Sequence, residues 1–552
     1  MFFALPHPTI IAVRGIPVLA YLAVVPVFLL VRRIRWRFLW FAGFMFGVVF
    51  CCFYSYWLAI FHPMGIFVIS IVYGFFLIPT FPLLKAAVVF FPRRGWILQW
   101  IIWVAYEYVK TLGFGGLQYG VTAYTHWRWT LLMQIADVTG VWGLSALIVF
   151  VSAWVAQVLA EAQPALRRGI WSAHRLPESA REAGRTILSA ARGHRRSAAL
   201  WVICFAGVLV YGIAVRVDYG DAPKAKVALI QSNSDPWVSS VPGMDEVSAY
   251  RNDLRLLVRL SGEALAAAPD TDFVVWPETS FVPRIMWHYR HRQDQRRFAL
   301  VEELLTYLDA ASAPHVLGND HGVDGWTRLG EWGIIDHNGV VVFKPGQNVI
   351  PPTPDVYAKM HLVPFTEYFP FEKLFPGLYQ MLLNGDTHLW EPGIMPTVFS
   401  VQGAETGVVF GTPVCFEDTF GYLSRSFVNN GASMLVNLSN DAWSKSLVCQ
   451  YQHLSMAVFR AVENRVSLVR STATGQTSAV DPNGVVIAMA EPFVPVYLNV
   501  AVPVRGAGRG AKRTVYTRWG DYVGILFVSV ALGGLFWGVF LSIIRKKDGR
   551  DS

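Results

Sequence analysis

Long apolar runs separated by short basic clusters fill the first 216 residues, and then the pattern changes. A helix that crosses a bilayer needs about 20 mostly apolar residues. Seven runs approach that length, at roughly 9–31, 38–60, 66–91, 96–112, 132–160, 197–216 and 520–544. The fourth is short and holds Glu107 and Lys110 near its end. Residues 217–519 contain no such run. The expected organisation is about six transmembrane helices in 1–216, a soluble domain over 217–519, and a last transmembrane helix with a basic tail over 520–552.

Within 217–519 the pattern is that of layered α/β structure. Short β-branched runs at 226–231, 273–276, 315–319, 406–410 and 434–438 read as strands. Segments 245–268, 296–311 and 452–465 place apolar residues three and four apart, as helices do. Two segments, 334–342 and 479–487, read as hairpins closed by Asn-Gly turns. Strands and helices in alternation, mixed with hairpins, predict α/β layers around a mixed sheet. The glycines at 113–116 lack the Lys-Ser/Thr that a phosphate-cradling loop needs.

Composition sharpens this. Charged residues make up 15% of the 552 and hydrophobic residues 54%. Mean hydropathy is +0.39. These values exclude a disordered chain and argue against a fully soluble enzyme. Five cysteines are too few for a disulfide scaffold.

The net charge of +9 belongs to topology, not to nucleic-acid binding. Arg32, Arg33, Arg35 and Arg37 follow the first run, and Arg93 and Arg94 follow the third. Eight arginines lie in 161–196, and Arg545, Lys546, Lys547 and Arg550 follow the last run. The loops between carry only Arg128. Positive charge marks the cytoplasmic side, so residues 217–519 are expected outside the inner face. The same counting puts Met1 outside without a basic leader, and leads us to expect a further helix upstream.

Three polar residues stand near the ends of expected strands: Glu278, Lys359 and Cys415. Reacting groups tend to converge at strand ends of an α/β sheet. The set suits acyl transfer. A free thiol is mostly protonated at neutral pH. A carboxylate can take its proton, and an ammonium can stabilise the negative charge that develops.

The surrounding segments narrow the reading. They are Trp-Pro-Glu-Thr at 276–279, Lys-Met-His-Leu-Val-Pro-Phe-Thr-Glu-Tyr at 359–368, Cys-Phe-Glu at 415–417 and Ser-Asn-Asp-Ala-Trp at 439–443. Arg-Ala-Val-Glu-Asn-Arg at 460–465, Arg-Ser-Thr-Ala-Thr-Gly at 470–475 and Thr-Gly-Val-Trp-Gly-Leu-Ser at 139–145 complete the set. In order and content they resemble the nitrilase superfamily, and more closely its membrane-embedded apolipoprotein N-acyltransferase family. The resemblance implies a polytopic helical membrane bundle carrying an extracytoplasmic nitrilase-like αββα sandwich, in the inner membrane of a bacterium.

The resemblance further implies a ping-pong reaction without cofactor or metal. Cys415 would take an acyl chain from a phospholipid as a thioester. The α-amine of a lipoprotein's diacylglyceryl cysteine would then receive it. Glu278 would be the general base. Lys359, with the backbone N–H of Phe416, would hold the oxyanion. Glu367 would position the lysine, and Glu417, Trp237 and Trp443 fall at sensitive family positions. Phe416 stands where relatives often carry Tyr.

Other residues have plainer readings. His361 and His453 lack ligand spacing for a metal and suit structural hydrogen bonds. Glu107, Lys110 and Asp137 lie near span ends, where interfacial snorkelling suits them as well as function. The aromatic run from Tyr368 to Trp390 is apolar enough to form a lid at the membrane surface. Two competing functions are a membrane-tethered amidase, with water as acceptor, and a transporter or receptor that only binds ligand. Seven spans give a small soluble substrate no rationale, and the spans lack the broken helices of many transporters.

Overall fold

The computed structural model describes all residues except 1, 62, 114, 173–175, 236–242, 327–331, 365, 370–373, 378–389, 404, 506–512 and 549–552. The chain divides into two compact units, Met1–Arg216 with Asp521–Ser552, and Val217–Gly520.

In the first unit, five helices among the described residues are long and apolar enough to cross a membrane. They are Trp36–Tyr54, Gly65–Phe90, Val141–Gln163, Arg195–Val215 and Tyr522–Arg545. Two expected spans fall short. The run at 9–31 is not one helix: a 3₁₀ turn, Pro17–Tyr21, precedes a short helix, Val25–Arg33. Pro17 and Pro26 each start a new element, because proline has no N–H to continue the ladder behind it. The 96–112 run forms a 15-residue helix, Gly95–Val109, which at 1.5 Å per residue reaches about 22 Å.

The acidic and basic residues of that short helix do not snorkel. Glu107 is fully buried and accepts from Trp103 Nε1 at 3.1 Å, Ser145 Oγ at 2.7 Å, and the backbone N–H of Thr122 at 3.2 Å. The Thr122 hydroxyl donates to it as well. Lys110 Nζ donates to Tyr119 O at 2.6 Å. Asp137 is also buried, and accepts from Tyr211 Oη at 2.7 Å. Such satisfied polar contacts hold membrane helices together without a hydrophobic driving force.

Small residues do the same by close approach. A Cβ on Gly47 would lie 2.8 Å from the backbone of Gly74 in the next span. We expect Gly47→Leu to force these helices apart, at the about 1–3 kcal/mol or more that overpacking costs. Melting in detergent should fall by several degrees.

The second unit is built from two six-stranded sheets. The first runs in the order β12-β1-β2-β3-β4-β5, with β1 at Lys224–Gln231, β2 at Phe273–Val275, β3 at His315–Trp326, β4 at Trp332–Phe343, β5 at Asp355–Ala358 and β12 at Val496–Pro503. The second is ordered β11-β10-β9-β8-β7-β6, with β6 at Val398–Gln402, β7 at Gly407–Gly411, β8 at Met434–Ser439, β9 at Ser467–Thr472, β10 at Ser478–Val480 and β11 at Val486–Met489. Each sheet has three parallel strands at its centre and antiparallel strands at its margins. Of the central strands, β2, β8 and β9 are buried along their whole length, as parallel strands covered on both faces are.

The sheets meet face to face. Phe273 stacks on Phe410 at 5.1 Å, and Ser471 Oγ donates across the gap to Ile230 O at 2.7 Å. Helices Glu246–Ala267 and Gln295–Ala310 pack on the first sheet, and Gly421–Asn429 and Leu447–Asn464 on the second. This is an αββα sandwich.

One Asn-Gly pair forms the expected hairpin: Asp481 Oδ1 accepts from the N–H groups of Asn483 and Val485, and Gly484 takes φ +78° between β10 and β11. The other does not. Asn338 and Gly339 lie in the middle of β4, paired with Asp320 and Asn319 of β3. A Cβ on Gly339 would stand 2.9 Å from His321 Cβ, so the glycine serves close strand packing there, not a turn.

Candidate functional site

Four loops at strand ends converge in the second unit. Glu278 stands three residues beyond β2, and Lys359 directly follows β5. Cys415 opens a 3₁₀ turn, Cys415–Thr419, beyond β7, and Asn440 follows β8. In the first sheet β2 runs parallel to β1 and β3, and in the second β8 runs parallel to β7 and β9, so the ends of β2, β7 and β8 each lie at the same edge as their parallel partners.

Lys359 is the centre of the arrangement. Its side chain has no solvent exposure. Its Nζ donates to Glu278 Oε1 at 3.1 Å and to Glu367 Oε1 at 2.8 Å. Burial alone would lower its pKa, but the carboxylates of Glu278 and Glu367 outweigh that and hold it well above the usual lysine value. Glu367 Oε2 accepts from the backbone N–H of Val363 at 2.9 Å. Burial, and then Glu278, push the Glu367 carboxyl up against the pull of Lys359.

Glu278 accepts three hydrogen bonds. Besides Lys359 they come from Asn338 Nδ2 at 2.8 Å, on Oε1, and the backbone N–H of Asn440 at 2.8 Å, on Oε2. Its loop is tightly held: a Cβ on Gly318 would lie 2.2 Å from Thr279 N.

Cys415 is buried and sits at φ +50°, the left-handed region where non-glycine residues are strained. Thr279, beside Glu278, sits at +48°. Burial first, and then Glu278, push the Cys415 thiol well above its usual pKa, with Lys359 opposing.

Glu417 ties the lysine and cysteine loops together. Its Oε1 accepts from the N–H groups of Met360 at 2.7 Å and His361 at 2.9 Å, just past Lys359. Its Oε2 accepts from Val414 N at 2.8 Å, just before Cys415. Tyr357 Oη donates to both oxygens. Burial raises the Glu417 carboxyl to about 7, with the backbone donors opposing.

Below the cysteine, His453 makes the structural hydrogen bonds expected of it, within a buried charged network whose other members sequence reasoning missed. His453 Nε2 reaches Asp418 Oδ1 at 2.8 Å and Cys415 O at 3.3 Å, and its Nδ1 reaches Asp441 Oδ1 at 3.1 Å. Arg470 Nε lies 3.2 Å from Asp418 Oδ2. Asn437 Nδ2 donates to Cys415 O at 3.1 Å. Asn338 was also missed, because its Asn-Gly context reads locally as a turn. Asp441 and Arg470 lay in plain view within 439–443 and 470–475, but nothing in their spacing announced a buried pair.

The remaining expected residues divide. Phe416 is half-buried in the Cys415 turn, its ring edge-on to Phe420 at 4.9 Å. Trp443 is half-buried in the turn Ala442–Ser444. Trp237 lies outside the described residues, as does most of the aromatic run at 368–390. Of that run, Trp390 packs inward and donates from Nε1 to Asp320 Oδ1 at 3.0 Å. Among the described residues no cluster could hold a metal ion.

Comparison with known proteins decides the family. Residues 226–505 match the family described as carbon-nitrogen hydrolase, and residues 2–154 the apolipoprotein N-acyltransferase N-terminal domain. Apolipoprotein N-acyltransferase 1 of Treponema pallidum is 43% identical over 548 residues, covering 99% of this chain and 95% of its own. The chain belongs to the apolipoprotein N-acyltransferase family. Apolipoprotein N-acyltransferase 1 of Treponema denticola is 38% identical, covering 99% of this chain and 96% of its own. An amidase of Nesterenkonia AN1 from the nitrilase superfamily has a TM-score of 0.35 and 17% identity, covering 51% of this chain and 92% of its own. This member of the family is an enzyme of the carbon-nitrogen hydrolase superfamily, and the five long apolar helices among its described residues fit a multi-pass membrane protein.

The buried network of this acyltransferase-family member has a pH signature. Burial alone would lower the His453 pKa, but Asp418 and Asp441 outweigh it and raise it to about 9. An unfolded histidine titrates near 6.5. The folded state therefore holds the proton more tightly, and this stabilisation is complete below about pH 6.5 and lost as pH rises through about 9. Melting temperature should fall between pH 7 and 9 in the native chain. In His453→Gln that slope should be smaller and the melting temperature lower throughout.

Proposed function

We propose that this enzyme moves a fatty acyl chain from a membrane phospholipid, through a thioester on Cys415, to the free α-amine of a lipoprotein's N-terminal S-diacylglyceryl cysteine. The observation that carries the chemistry is Lys359, fully buried between Glu278 and Glu367 and adjoining the cysteine loop. The relatives' names supply the acceptor class.

Each residue then has a task. Glu278 takes the Sγ proton as sulfur attacks the ester carbonyl. Lys359 and the backbone N–H of Phe416 stabilise the oxyanion of the tetrahedral intermediate. The C–O bond breaks, the leaving alkoxide takes the proton from Glu278, and lysophospholipid departs. In the second half the α-amine attacks the thioester and Glu278 accepts its proton; the C–S bond breaks and the leaving thiolate takes that proton from Glu278, which restores the thiol. Glu367 positions Lys359. Glu417 keeps the two loops in register, and the raised pKa of Cys415 is why a base is needed at all.

The catalytic unit acts on the extracytoplasmic side of a bacterial inner membrane in this reading. The basic clusters at 32–37, 93–94 and 192–196, which mark cytoplasmic ends of helices, support it.

Intact mass spectrometry of the chain incubated with phospholipid tests the proposal. One acyl chain should add to the native protein and not to Cys415→Ala, and a diacylated lipopeptide with a free amine should discharge it. Discharge by water alone, with the lipopeptide without effect, would make the enzyme a hydrolase. Absence of any adduct on a folded chain would leave Cys415 a packing residue.

A further inference from the structure

Two arginines of the membrane unit open on one cavity. Arg14 and Arg128 line a space of about 350 Å³ together with Val18, Thr125, Trp127 and Trp129. Both are exposed, and neither side chain makes an ion pair or hydrogen bond with any described residue. The Arg128 guanidinium lies 5.9 Å from the Trp127 ring centroid.

The backbone fixes the turns that carry the two arginines. Gly15 takes φ +77°, and a Cβ there would lie 2.3 Å from Pro6 O. Gly15 N donates to Ala12 O at 2.9 Å and Ile16 N to Leu5 O at 3.1 Å, which closes the turn that carries Arg14. On the other wall, Trp129 N donates to His126 O at 2.8 Å and closes the turn that carries Arg128. Tyr21 meets His126 edge to face at 5.4 Å and joins the two walls. Two guanidiniums that open on one space attract an anion there, and the attraction must exceed the cost of ordering two long side chains.

The position of the cavity says which anion. Helix Arg195–Val215 starts on Arg195 and Arg196. Near its other end a Cβ on Gly212 would lie 2.1 Å from Leu131 O, and Tyr211 Oη donates to Asp137. The cavity therefore lies at the membrane boundary remote from the basic cluster. Its lining includes the exposed Val18 and Trp129, and the segment that carries Arg14 also exposes Ile10 (72%), Ile11 (61%) and Ile16. Tryptophan belongs at headgroup depth, and a planar guanidinium matches two phosphate oxygens. A soluble anion has no use for the apolar rim, whereas a lipid does.

We propose that Arg14 and Arg128 seat the phosphodiester of a phospholipid in the leaflet opposite the basic clusters, with its acyl chains against Ile10, Ile16 and Val18. The site stands on the geometry of the membrane unit and not on the chemistry of Cys415, so either can fail alone.

Native mass spectrometry of the full chain in detergent tests it, with phosphatidylglycerol, with diacylglycerol of the same chains, and with inorganic phosphate. The native chain should retain one phosphatidylglycerol under conditions where diacylglycerol is lost. Arg14→Gln/Arg128→Gln should weaken retention about tenfold or more, and Arg35→Gln/Arg37→Gln, in the basic cluster, should not. Equal retention by the first pair, equal loss from the second, or equal retention of diacylglycerol overturns the proposal. Displacement by millimolar inorganic phosphate overturns the lipid assignment. Should the glutamine pair fail to fold, Arg14→Lys/Arg128→Lys keeps the charge but not the fork. It should bind several-fold more weakly, and unchanged binding would count against the site.

Discussion

An ammonium group with no access to water is the constraint that orders the catalytic unit. Stripping Lys359 of solvent is costly unless its charge is met at hydrogen-bonding distance. Glu278 and Glu367 meet it, from loops after β2 and β5. Those carboxylates need their own donors, which Asn338, Asn440 N and Val363 N provide. One buried charge thus fixes loops from both sheets. Removing either carboxylate would leave part of that charge uncompensated, so the site resists piecemeal change.

A second buried carboxylate turns this into a working geometry. Glu417 binds backbone N–H groups next to Lys359 and next to Cys415, so the lysine and the sulfur are spaced by one side chain. The His453 network and Asn437 then hold the Cys415 carbonyl from below. These contacts over-determine the loop, which is how Cys415 and Thr279 can persist at positive φ at a cost of order 1–3 kcal/mol each. Burial pushes the Cys415 thiol up, with Glu278 adding to the shift and Lys359 opposing it.

What the sequence discloses follows the range of the interaction. The α/β layering is legible because strand and helix periods are local, whereas the αββα sandwich is implied only by the family resemblance. Glu278, Lys359 and Cys415 stand out because each sits in a motif at a strand end. Asn338 does not: its Asn-Gly neighbourhood favours a turn, and only pairing with β3 and β5 overrides that. The helix lengths in the membrane unit are likewise hidden. Apolar composition marks 9–31 as a span, but Pro17 and Pro26 divide it. Glu107 looks interfacial near a helix end, yet its partners Thr122 and Ser145 come from later segments. Charged networks of this kind are assembled by tertiary structure, and spacing along the chain carries little trace of them.

The central claim is that Glu278 takes the proton of a Cys415 thiol held beside a buried cation. The direct measurement is the single-turnover rate of acyl-enzyme formation for Glu278→Gln, in protein whose melting temperature confirms that it is folded. The account predicts a loss of about 10²–10⁴-fold, the usual contribution of a positioned general base, with the acyl chain still added to Cys415. A rate within about threefold of the native enzyme, against that expected loss, would contradict the account and move the proton transfer to another group.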